Sequence, residues 1–371
     1  MLMFCIFEST LVEDALSKVF AECTGNSILT GKARFLEEKK MLQSRFLSRA
    51  GVHLAAAAAF TLAGFTAANA ETKWDMPTPY GDGNFHTQNI AAFADEVKEK
   101  TGGSLVIQIH SAGSLFKHPE IKNAVRKGLA PIGEILVSRL SNEDPVFGVD
   151  SVPFLAPSYD QAWKLYQASK PAMEEKLSEQ GLQLLYSVPW PPQGIYAQKE
   201  INNIGDMSGL KIRAYNAATE RFAILAGGVT AQIEAPDIPT AFSTGRVEAM
   251  ITSPSTGANS KAWDFVSHYH DTQAWLPKNM VFVNKAAFDA LSDEERAAVL
   301  EAADAAEKRG WEASKVETKT QTQVLADNGI TVVQPTSQLI QDLAAIGETM
   351  AAEWQAETGD TGAAVLEAYK N

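Results

Sequence analysis

The segment Gly209-Leu210-Lys211-Ile212-Arg213-Ala214-Tyr215-Asn216 has the pattern of a short apolar strand that places an arginine and two further polar side chains at its carboxyl end. In an open α/β sheet the carboxyl ends of the strands face the crevice in which ligands bind. An arginine there suits a carboxylate, because its planar fork donates two parallel hydrogen bonds and its charge persists at ordinary pH. The alternative is a structural ion pair between Arg213 and an internal acid such as Glu234.

The residues that follow this strand alternate between helical and strand patterns. A helix is predicted over 217–226, a strand over 229–233, a short helix over 239–244 and a buried strand over 247–252. The segment Ser253-Pro254-Ser255-Thr256-Gly257 is predicted to be a loop. Asn216 and Thr252 are therefore the candidate polar groups beside Arg213.

The residues that precede the strand show the same alternation. Strands are predicted over 73–76, 104–110 and 182–188, and helices over 85–101, 119–127 and 158–180. This β-α-β-α succession is typical of an α/β layer fold. The proline-rich break over 189–194 and a later strand over 280–284 could carry the chain between two lobes and back, which would form a hinge.

The length of 371 residues exceeds the size at which one hydrophobic core usually stops growing, so two lobes are expected. We predict lobe I over 71–194 and lobe II over 195–280. Residues 281–371 would supply the return strand, a long helix beginning at Ser292-Asp293-Glu294-Glu295, and C-terminal helices that pack on both lobes.

The amino-terminal residues look like processing signals rather than part of the fold. Residues 41–70 carry Arg45 and Arg49, then an apolar run, then Ala68-Asn69-Ala70, which are the three parts of a secretory signal. The mature chain is thus expected to begin at Glu71, and residues 1–40 to be a non-native extension. Both cysteines, Cys5 and Cys23, precede this point, so the mature chain has no thiol.

The charge balance limits the possible partners. Residues 1–70 hold seven Lys/Arg and six Asp/Glu, so residues 71–371 keep 25 basic and 39 acidic residues, a formal net charge of −14. Such a surface disfavours nucleic acid and anionic membranes. An acidic protein that binds an anion must concentrate positive charge locally, which again draws attention to Arg213.

Several catalytic and cofactor patterns were sought in the sequence. The serine segments near Gly113 and Gly257 lack the Gly-x-Ser-x-Gly spacing of a nucleophile elbow. His268-Tyr269-His270 has no second ligand group nearby and is interpreted as surface or capping histidines. Gly81-Asp82-Gly83 carries an aspartate that would repel phosphate. We therefore predict no catalytic residue, no metal and no cofactor.

Two stronger and three weaker motifs occur in order along the chain. The stronger motifs are Met207-Ser208-Gly209-Leu210-Lys211-Ile212-Arg213 and Gly245-Arg246-Val247-Glu248. The weaker ones are Thr101-Gly102-Gly103-Ser104-Leu105, Gly113-Ser114-Leu115 and Val152-Pro153-Phe154-Leu155. Together they resemble the periplasmic solute-binding subunits of tripartite ATP-independent (TRAP) transporters, which include the C4-dicarboxylate binders of the DctP type. The resemblance covers residues 72–371, and the order and spacing of the motifs make it specific.

The resemblance implies a two-lobed periplasmic-binding-protein fold. Each lobe would be a mixed sheet flanked by helices, with hinge strands and a long helix spanning both lobes. It gives Arg213 the role of pairing with the ligand carboxylate and places Trp190, Tyr215, Trp275 and Phe85 along the cleft. Some relatives carry a further arginine where this chain has Gln193, so a second carboxylate on the ligand is in question.

The expected function is that of a periplasmic binding protein, not an enzyme, which captures an organic acid and delivers it to TRAP membrane subunits. The expected ligand is a monocarboxylate with an aromatic or hydroxylated body. The alternatives are a C4-dicarboxylate or small hydroxy acid, a secreted enzyme acting on an organic acid, and a binding protein that feeds a sensor kinase. The ligand-site residues are predicted to be Arg213, Asn216, Tyr215, Trp190, Gln193, Thr252, Phe85 and Trp275.

Overall fold

The computed structural model describes residues 71–371. Within this range the strands are, in chain order, β1 (Thr72–Pro77), β2 (Leu105–His110), β3 (Ile132–Leu136), β4 (Leu182–Pro189), β5 (Gly194–Ala197), β6 (Lys211–Ala214), β7 (Val229–Gln232), β8 (Ala249–Thr252), β9 (His268–His270), β10 (Lys278–Asn284) and β11 (Thr331–Val333). The α-helices of the same range are α1 (Phe85–Lys100), α2 (His118–Arg126), α3 (Tyr159–Ser178), α4 (Ala217–Leu225), α5 (Ile238–Ser243), α6 (Pro254–Asn259), α7 (Lys285–Asp289), α8 (Asp293–Asp327) and α9 (Ser337–Lys370).

The strands form the sheets of two lobes. In the first lobe β1 pairs in parallel with β2, and β10 lies antiparallel between β3 and β4. The second lobe holds a six-stranded mixed sheet in the order β11-β9-β5-β8-β6-β7. Within it β6 runs parallel to both β7 and β8. The carboxyl ends of these parallel strands therefore meet at one edge of the sheet.

The two lobes are joined where the chain crosses between the sheets. The first crossing follows β4, and the second leads into β10. The two segments hydrogen-bond to each other: the Trp190 N–H donates to the Pro277 carbonyl at 2.8 Å, and the Gln193 N–H donates to the Trp275 carbonyl at 3.0 Å. Because both crossings lie side by side, a rotation between the lobes would concentrate in these few residues.

The two longest helices pack against both lobes. Helix α8 contributes Val299, Ala302 and Ala306 to a core cluster of the first lobe and Leu325 to a cluster of the second. Helix α9 contributes Trp354 to the first lobe, and Leu339, Leu343 and Ile346 to the second. Each of these helices therefore connects the cores of the two lobes.

Helix α8 approaches β4 very closely at Gly310. A Cβ atom at this position would lie 2.4 Å from Val188 Cγ2 and 2.8 Å from Asn89 Nδ2. Real Cβ atoms do not come this near to other atoms, so the packing of the helix on the sheet requires glycine here. The start of α8 is fixed by a capping box in which Ser292 accepts from the Glu295 N–H at 3.1 Å and Glu295 accepts from the Ser292 N–H at 3.0 Å.

The α/β fold with two lobes, a long helix spanning both and crossing strands is confirmed. One local expectation was wrong: Ser253–Gly257 is not a loop, because Ser253 caps α6 and Pro254 occupies its first turn. His270 is not a surface histidine either. Its Nδ1–H donates to the Ile195 carbonyl at 3.2 Å and its Nε2 accepts from the Ile201 N–H at 2.8 Å.

The predicted extension, the secretory signal and the two cysteines lie outside the described residues. No helix among residues 71–371 is long and apolar enough to cross a bilayer.

Candidate functional site

A cavity lies between the lobes, at the carboxyl ends of strands from both of them, and encloses about 410 Å³ of space when its solvent-open mouth is included. From the first lobe it is lined by Tyr80, His118, Leu136 and Trp190. From the second lobe it is lined by Arg213, Tyr215, Glu234, Thr252, Ser253 and Thr256.

Arg213 is the buried cation of this cavity. Its side chain is 4% exposed, and its Nε donates to the Ile233 carbonyl at 2.9 Å. The guanidinium lies over the ring of Tyr215, 5.1 Å from the centroid. Among residues 71–371 no acid forms an ion pair with it, so its two Nη groups remain available to a ligand. Burial lowers the pKa of Arg213 to about 10, which leaves it charged at neutral pH.

Glu234 pairs with residues other than Arg213. Its Oε1 accepts from Arg139 Nη1 at 2.8 Å, and its Oε2 lies 3.2 Å from His118 Nδ1. Arg139 and His118 belong to the first lobe and Glu234 follows β7 in the second, so these bonds span the cleft. The alternative of a structural Arg213–Glu234 pair is therefore not what the structure contains.

Both ring nitrogens of His118 are engaged. The Leu136 N–H donates to Nε2 at 3.2 Å, so we assign the ring proton to Nδ1, which donates to Glu234. Burial lowers the pKa of His118, which agrees with a neutral ring. Burial by itself raises the pKa of Glu234, but the His118 N–H and the charges of Arg139 and Arg213 outweigh it and keep that pKa below its usual value.

A hydrogen-bond chain holds the ring of Tyr215 beneath Arg213. Trp275 Nε1 donates to the Tyr215 hydroxyl at 3.1 Å, and that hydroxyl donates to Gln193 Oε1 at 3.1 Å. Gln193 Nε2 in turn donates to the Pro191 carbonyl at 2.9 Å. The chain ends in the first crossing segment, so the position of the aromatic ring depends on the geometry of the hinge.

The opposite wall of the cavity is aromatic. The rings of Tyr80 and Trp190 meet edge to face with centroids 5.0 Å apart. Trp190 Nε1 donates to Asn279 Oδ1 at 2.8 Å, which turns the polar edge of the indole away from the cavity. Asn279 Nδ2 donates to Glu134 Oε1 at 2.9 Å, and the Thr78 hydroxyl donates to Glu134 Oε2 at 2.5 Å. A buried acid thus supports the wall from behind.

Glu134 makes the stability of the first lobe depend on pH. Burial raises its pKa from 4.5 to about 7, although the hydrogen bonds from Thr78 and Asn279 act in the opposite direction. Between these two values the folded chain holds one more proton at Glu134 than the unfolded chain does. The contribution of Glu134 to stability is therefore full below pH 4.5 and is lost as the pH rises to about 7.

The replacement Glu134→Gln keeps the shape of the protonated acid and removes this titration. We expect the free energy of unfolding of the wild type to fall relative to that of the variant as the pH rises from 4.5 to about 7. The difference between the free energies of unfolding of wild type and Glu134→Gln should change by up to about 1.4 kcal/mol per pH unit. Urea unfolding across this range measures it, with Glu294→Gln on the exposed start of α8 as the control. Parallel pH profiles for wild type and Glu134→Gln would contradict the assignment.

The eight predicted site residues fall into two groups, those that line the cavity and those that lie behind its lining. Five line the cavity: Arg213, Tyr215, Trp190, Gln193 and Thr252. The other three are not among its lining residues: Asn216 caps α4 and donates to Ser138 Oγ at 2.7 Å, Phe85 packs edge to face on Trp190, and Trp275 supports Tyr215. The Thr252 hydroxyl makes no hydrogen bond to another described residue and is free to meet a ligand.

Tyr80, His118, Arg139 and Ser253 were not predicted as site residues. Glu234 was considered only as a structural ion-pair partner of Arg213. A usable signal existed, because Tyr80 follows β1, Arg139 follows β3 and Ser253 follows β8. The rule that selected Arg213, that ligands meet the carboxyl ends of strands, applies equally to these positions. His118 carried a different signal, the first turn of α2.

Comparison with known proteins relates the chain to solute receptors. The family model for bacterial extracellular solute-binding protein family 7, named DctP, matches residues 80–358. The crystal structure of DctP7 from Bordetella pertussis, an extracytoplasmic solute receptor binding pyroglutamic acid, is 46% identical with a TM-score of 0.80. The structural alignment covers 100% of the DctP7 chain and 81% of this chain.

Two further solved structures are similar over the same share of this chain. DctP6 from B. pertussis, also a receptor binding pyroglutamic acid, is 43% identical, is covered over 99% of its length and has a TM-score of 0.80. A marine metagenome TRAP solute-binding protein in complex with co-purified pyroglutamate is 42% identical, is covered over 99% and has a TM-score of 0.79.

Proposed function

Because the chain belongs to the bacterial extracellular solute-binding proteins of family 7, the DctP family, we propose that it captures a small monocarboxylate, and that this acid is pyroglutamate. The observation that carries the proposal is Arg213, a buried guanidinium that lines the cavity and has no acidic ion-pair partner among the described residues. Three receptors that are 42–46% identical to the chain and bind pyroglutamate support it.

The charge of the cavity supports one carboxylate rather than two. Arg139 is neutralised by Glu234, and His118 is neutral, so among the described residues of the site Arg213 supplies the one uncompensated charge. A C4-dicarboxylate would bring a second anionic group for which the lining offers no further free cation among the described residues. Gln193 stands where a second arginine occurs in some relatives, and its amide is already used by Tyr215 and Pro191.

The body of pyroglutamate matches the remaining walls. Its five-membered lactam is compact and neutral, with an N–H donor and a carbonyl acceptor. Tyr80 and Trp190 offer an aromatic surface for the ring, and the Thr252 hydroxyl offers a hydrogen bond. The expectation of a monocarboxylate is retained, while its aromatic or hydroxylated body is replaced by a lactam.

The finer parts of the function are inferred from the family. The protein would be exported through its residues 41–70, act in the periplasm, catalyse no reaction, and hand its ligand to the membrane subunits of a TRAP transporter. The location outside the cytoplasm and the work with membrane transporter components follow from the family. The cleavage site and the particular transporter are our proposal.

Calorimetric titration of the purified protein with L-pyroglutamate tests the ligand. We expect one site, and at a hundred times the Kd the ligand should add about 2.7 kcal/mol to stability in a thermal-shift measurement. Matched controls are 2-pyrrolidinone, which lacks the carboxylate, and cyclopentanecarboxylate, which lacks the lactam; both should bind more weakly. Tighter binding of succinate or malate than of pyroglutamate would overturn the proposal in favour of a C4-dicarboxylate.

A further inference from the structure

Glu234 is the acidic side chain among the described residues that line the cavity, and its place there is unexpected in a site for an anion. It is about a third exposed and lies on the second lobe, just after β7. A carboxylate this near a ligand carboxylate would normally oppose binding. Its position therefore needs a reason beyond the capture of a negative charge.

The partners of Glu234 supply that reason. Arg139 Nη1 lies 2.8 Å from its Oε1 and also donates to the Tyr215 carbonyl at 3.1 Å. Without Glu234 the site would hold two arginines, Arg139 and Arg213, on opposite lobes. Arg139 is not itself a lining residue, but it contacts two lining residues, Tyr215 and Glu234. Two uncompensated guanidinium groups at one site suit a ligand with two carboxylates. With Glu234 ionised, the charge of Arg139 is neutralised and its Nη1 is engaged.

The other charges near the site do not alter this balance. His118 is neutral, because both of its ring nitrogens are engaged. Asp150 and Lys278, behind Tyr215, form a buried pair at 3.2 Å and compensate each other. Lys117 and Asp237 line the outer mouth and carry opposite charges. Glu134 lies behind the aromatic wall, bonded to Thr78 and Asn279.

We propose that Glu234 is a specificity-determining residue that restricts the site to ligands with one negative charge, by neutralising Arg139 and repelling a second carboxylate. This inference rests on the proposed function, since it explains why a monocarboxylate is selected. Like charges placed together at an interface suppress the wrong partner more than opposite charges strengthen the right one. Glu234 thus acts by exclusion, whereas Arg213 acts by attraction.

The test compares pyroglutamate with cis-cyclopentane-1,3-dicarboxylate, whose five-membered ring carries a second carboxylate where the lactam has its carbonyl. Calorimetry gives the Kd of both for the wild type, Glu234→Gln, Glu234→Ala and Asp237→Asn. The last variant is the matched control, because it removes one negative charge three residues away at the exposed mouth. A double variant, Arg139→Gln with Glu234→Gln, removes both members of the pair.

We expect Glu234→Gln and Glu234→Ala to shift the preference toward the dicarboxylate by at least about tenfold. Asp237→Asn should leave the preference unchanged, and the double variant should return it toward the wild-type value because the charge balance is restored. An unchanged preference in both Glu234 variants, or an equal shift in Asp237→Asn, would overturn the proposal. So would a shift that the double variant fails to reverse.

The two hypotheses fail in different ways. Absence of pyroglutamate binding by the wild-type protein would reject the proposed ligand, whatever the variants do. The role of Glu234 is judged from the ratio of the dicarboxylate Kd to the Kd of cyclopentanecarboxylate, a monoanion without the lactam. A ratio that is the same in the wild type and in Glu234→Gln rejects the charge filter even if pyroglutamate binds tightly.

Discussion

Arg213→Ala is expected to weaken the binding of L-pyroglutamate by about 2–5 kcal/mol, which corresponds to a loss of about 30-fold to 4,000-fold in affinity. The reason is that the ligand carboxylate would enter a buried cavity with no cation left free to meet it. The lining residues that remain would offer it hydroxyl groups, neutral rings and the carboxylate of Glu234.

The burial of Arg213 makes its charge costly to hold. Burial lowers its pKa from 12.5 to about 10, which shows that its surroundings compensate the guanidinium only in part. A ligand carboxylate offsets this cost when it binds. We therefore expect Arg213→Ala to lose affinity for the anion without a comparable loss in the stability of the unliganded protein.

Calorimetry of Arg213→Ala, Arg213→Lys and Lys211→Ala measures the effect. Arg213→Lys keeps the charge but loses the planar fork, so its affinity should fall between those of the wild type and Arg213→Ala. Lys211 lies on the same strand but is exposed, and Lys211→Ala should bind as the wild type does. Wild-type affinity in a folded Arg213→Ala would remove Arg213 from the site.

Asp150→Ala is expected to destabilise the protein by about 3–5 kcal/mol, the usual cost of breaking one side of a buried ion pair. Asp150 Oδ2 lies 3.2 Å from Lys278 Nζ, and both side chains are 2% exposed. Asp150 also accepts from the Lys278 N–H at 2.9 Å and from the Ser151 hydroxyl at 3.1 Å. Without Asp150, the ammonium of Lys278 would be buried without a counterion.

The pair lies where the chain crosses between the lobes, since Lys278 begins β10 opposite Pro189 at the end of β4. The coupling between Asp150 and Lys278 is measured by urea unfolding of three variants. These are Asp150→Ala, Lys278→Met, and the double variant that combines Asp150→Leu with Lys278→Met. The double variant should lose far less than Asp150→Ala, because an apolar pair leaves no buried charge. Asp289→Ala, which breaks the exposed Lys285–Asp289 pair, should cost less than about 1 kcal/mol. A loss this small for Asp150→Ala would contradict the prediction.

The fold could be predicted from the sequence where patterns are long or local. The start of α8 follows from Ser292 and Glu295, whose reciprocal capping is a local feature of the chain. Strands β3, β5, β9 and β11 were not predicted, because these segments of three to five residues carry little periodicity of their own. Their pairing is set by distant partners, such as Gly194 against Thr252.

The candidate site could be predicted only in part for the same reason. Arg213 could be selected because its strand and its chemistry lie in one segment. The ion pair between Arg139 and Glu234 joins residues 95 positions apart, and no local pattern announces such a contact. The aromatic wall is partly local and partly not. Trp190 lies within a clear proline-rich break, whereas Tyr80 contacts Trp190 only through the tertiary fold.

The contribution of α8 and α9 to both lobes has a consequence for the order of events during synthesis. A polypeptide is made from its amino end, and the side chains of Leu325, Leu339 and Trp354, which complete the clusters of the two halves, are among the last to emerge. Neither half can close its apolar interior before they do. The apolar clusters of the two lobes are therefore completed late, by residues from the last two long helices of the chain.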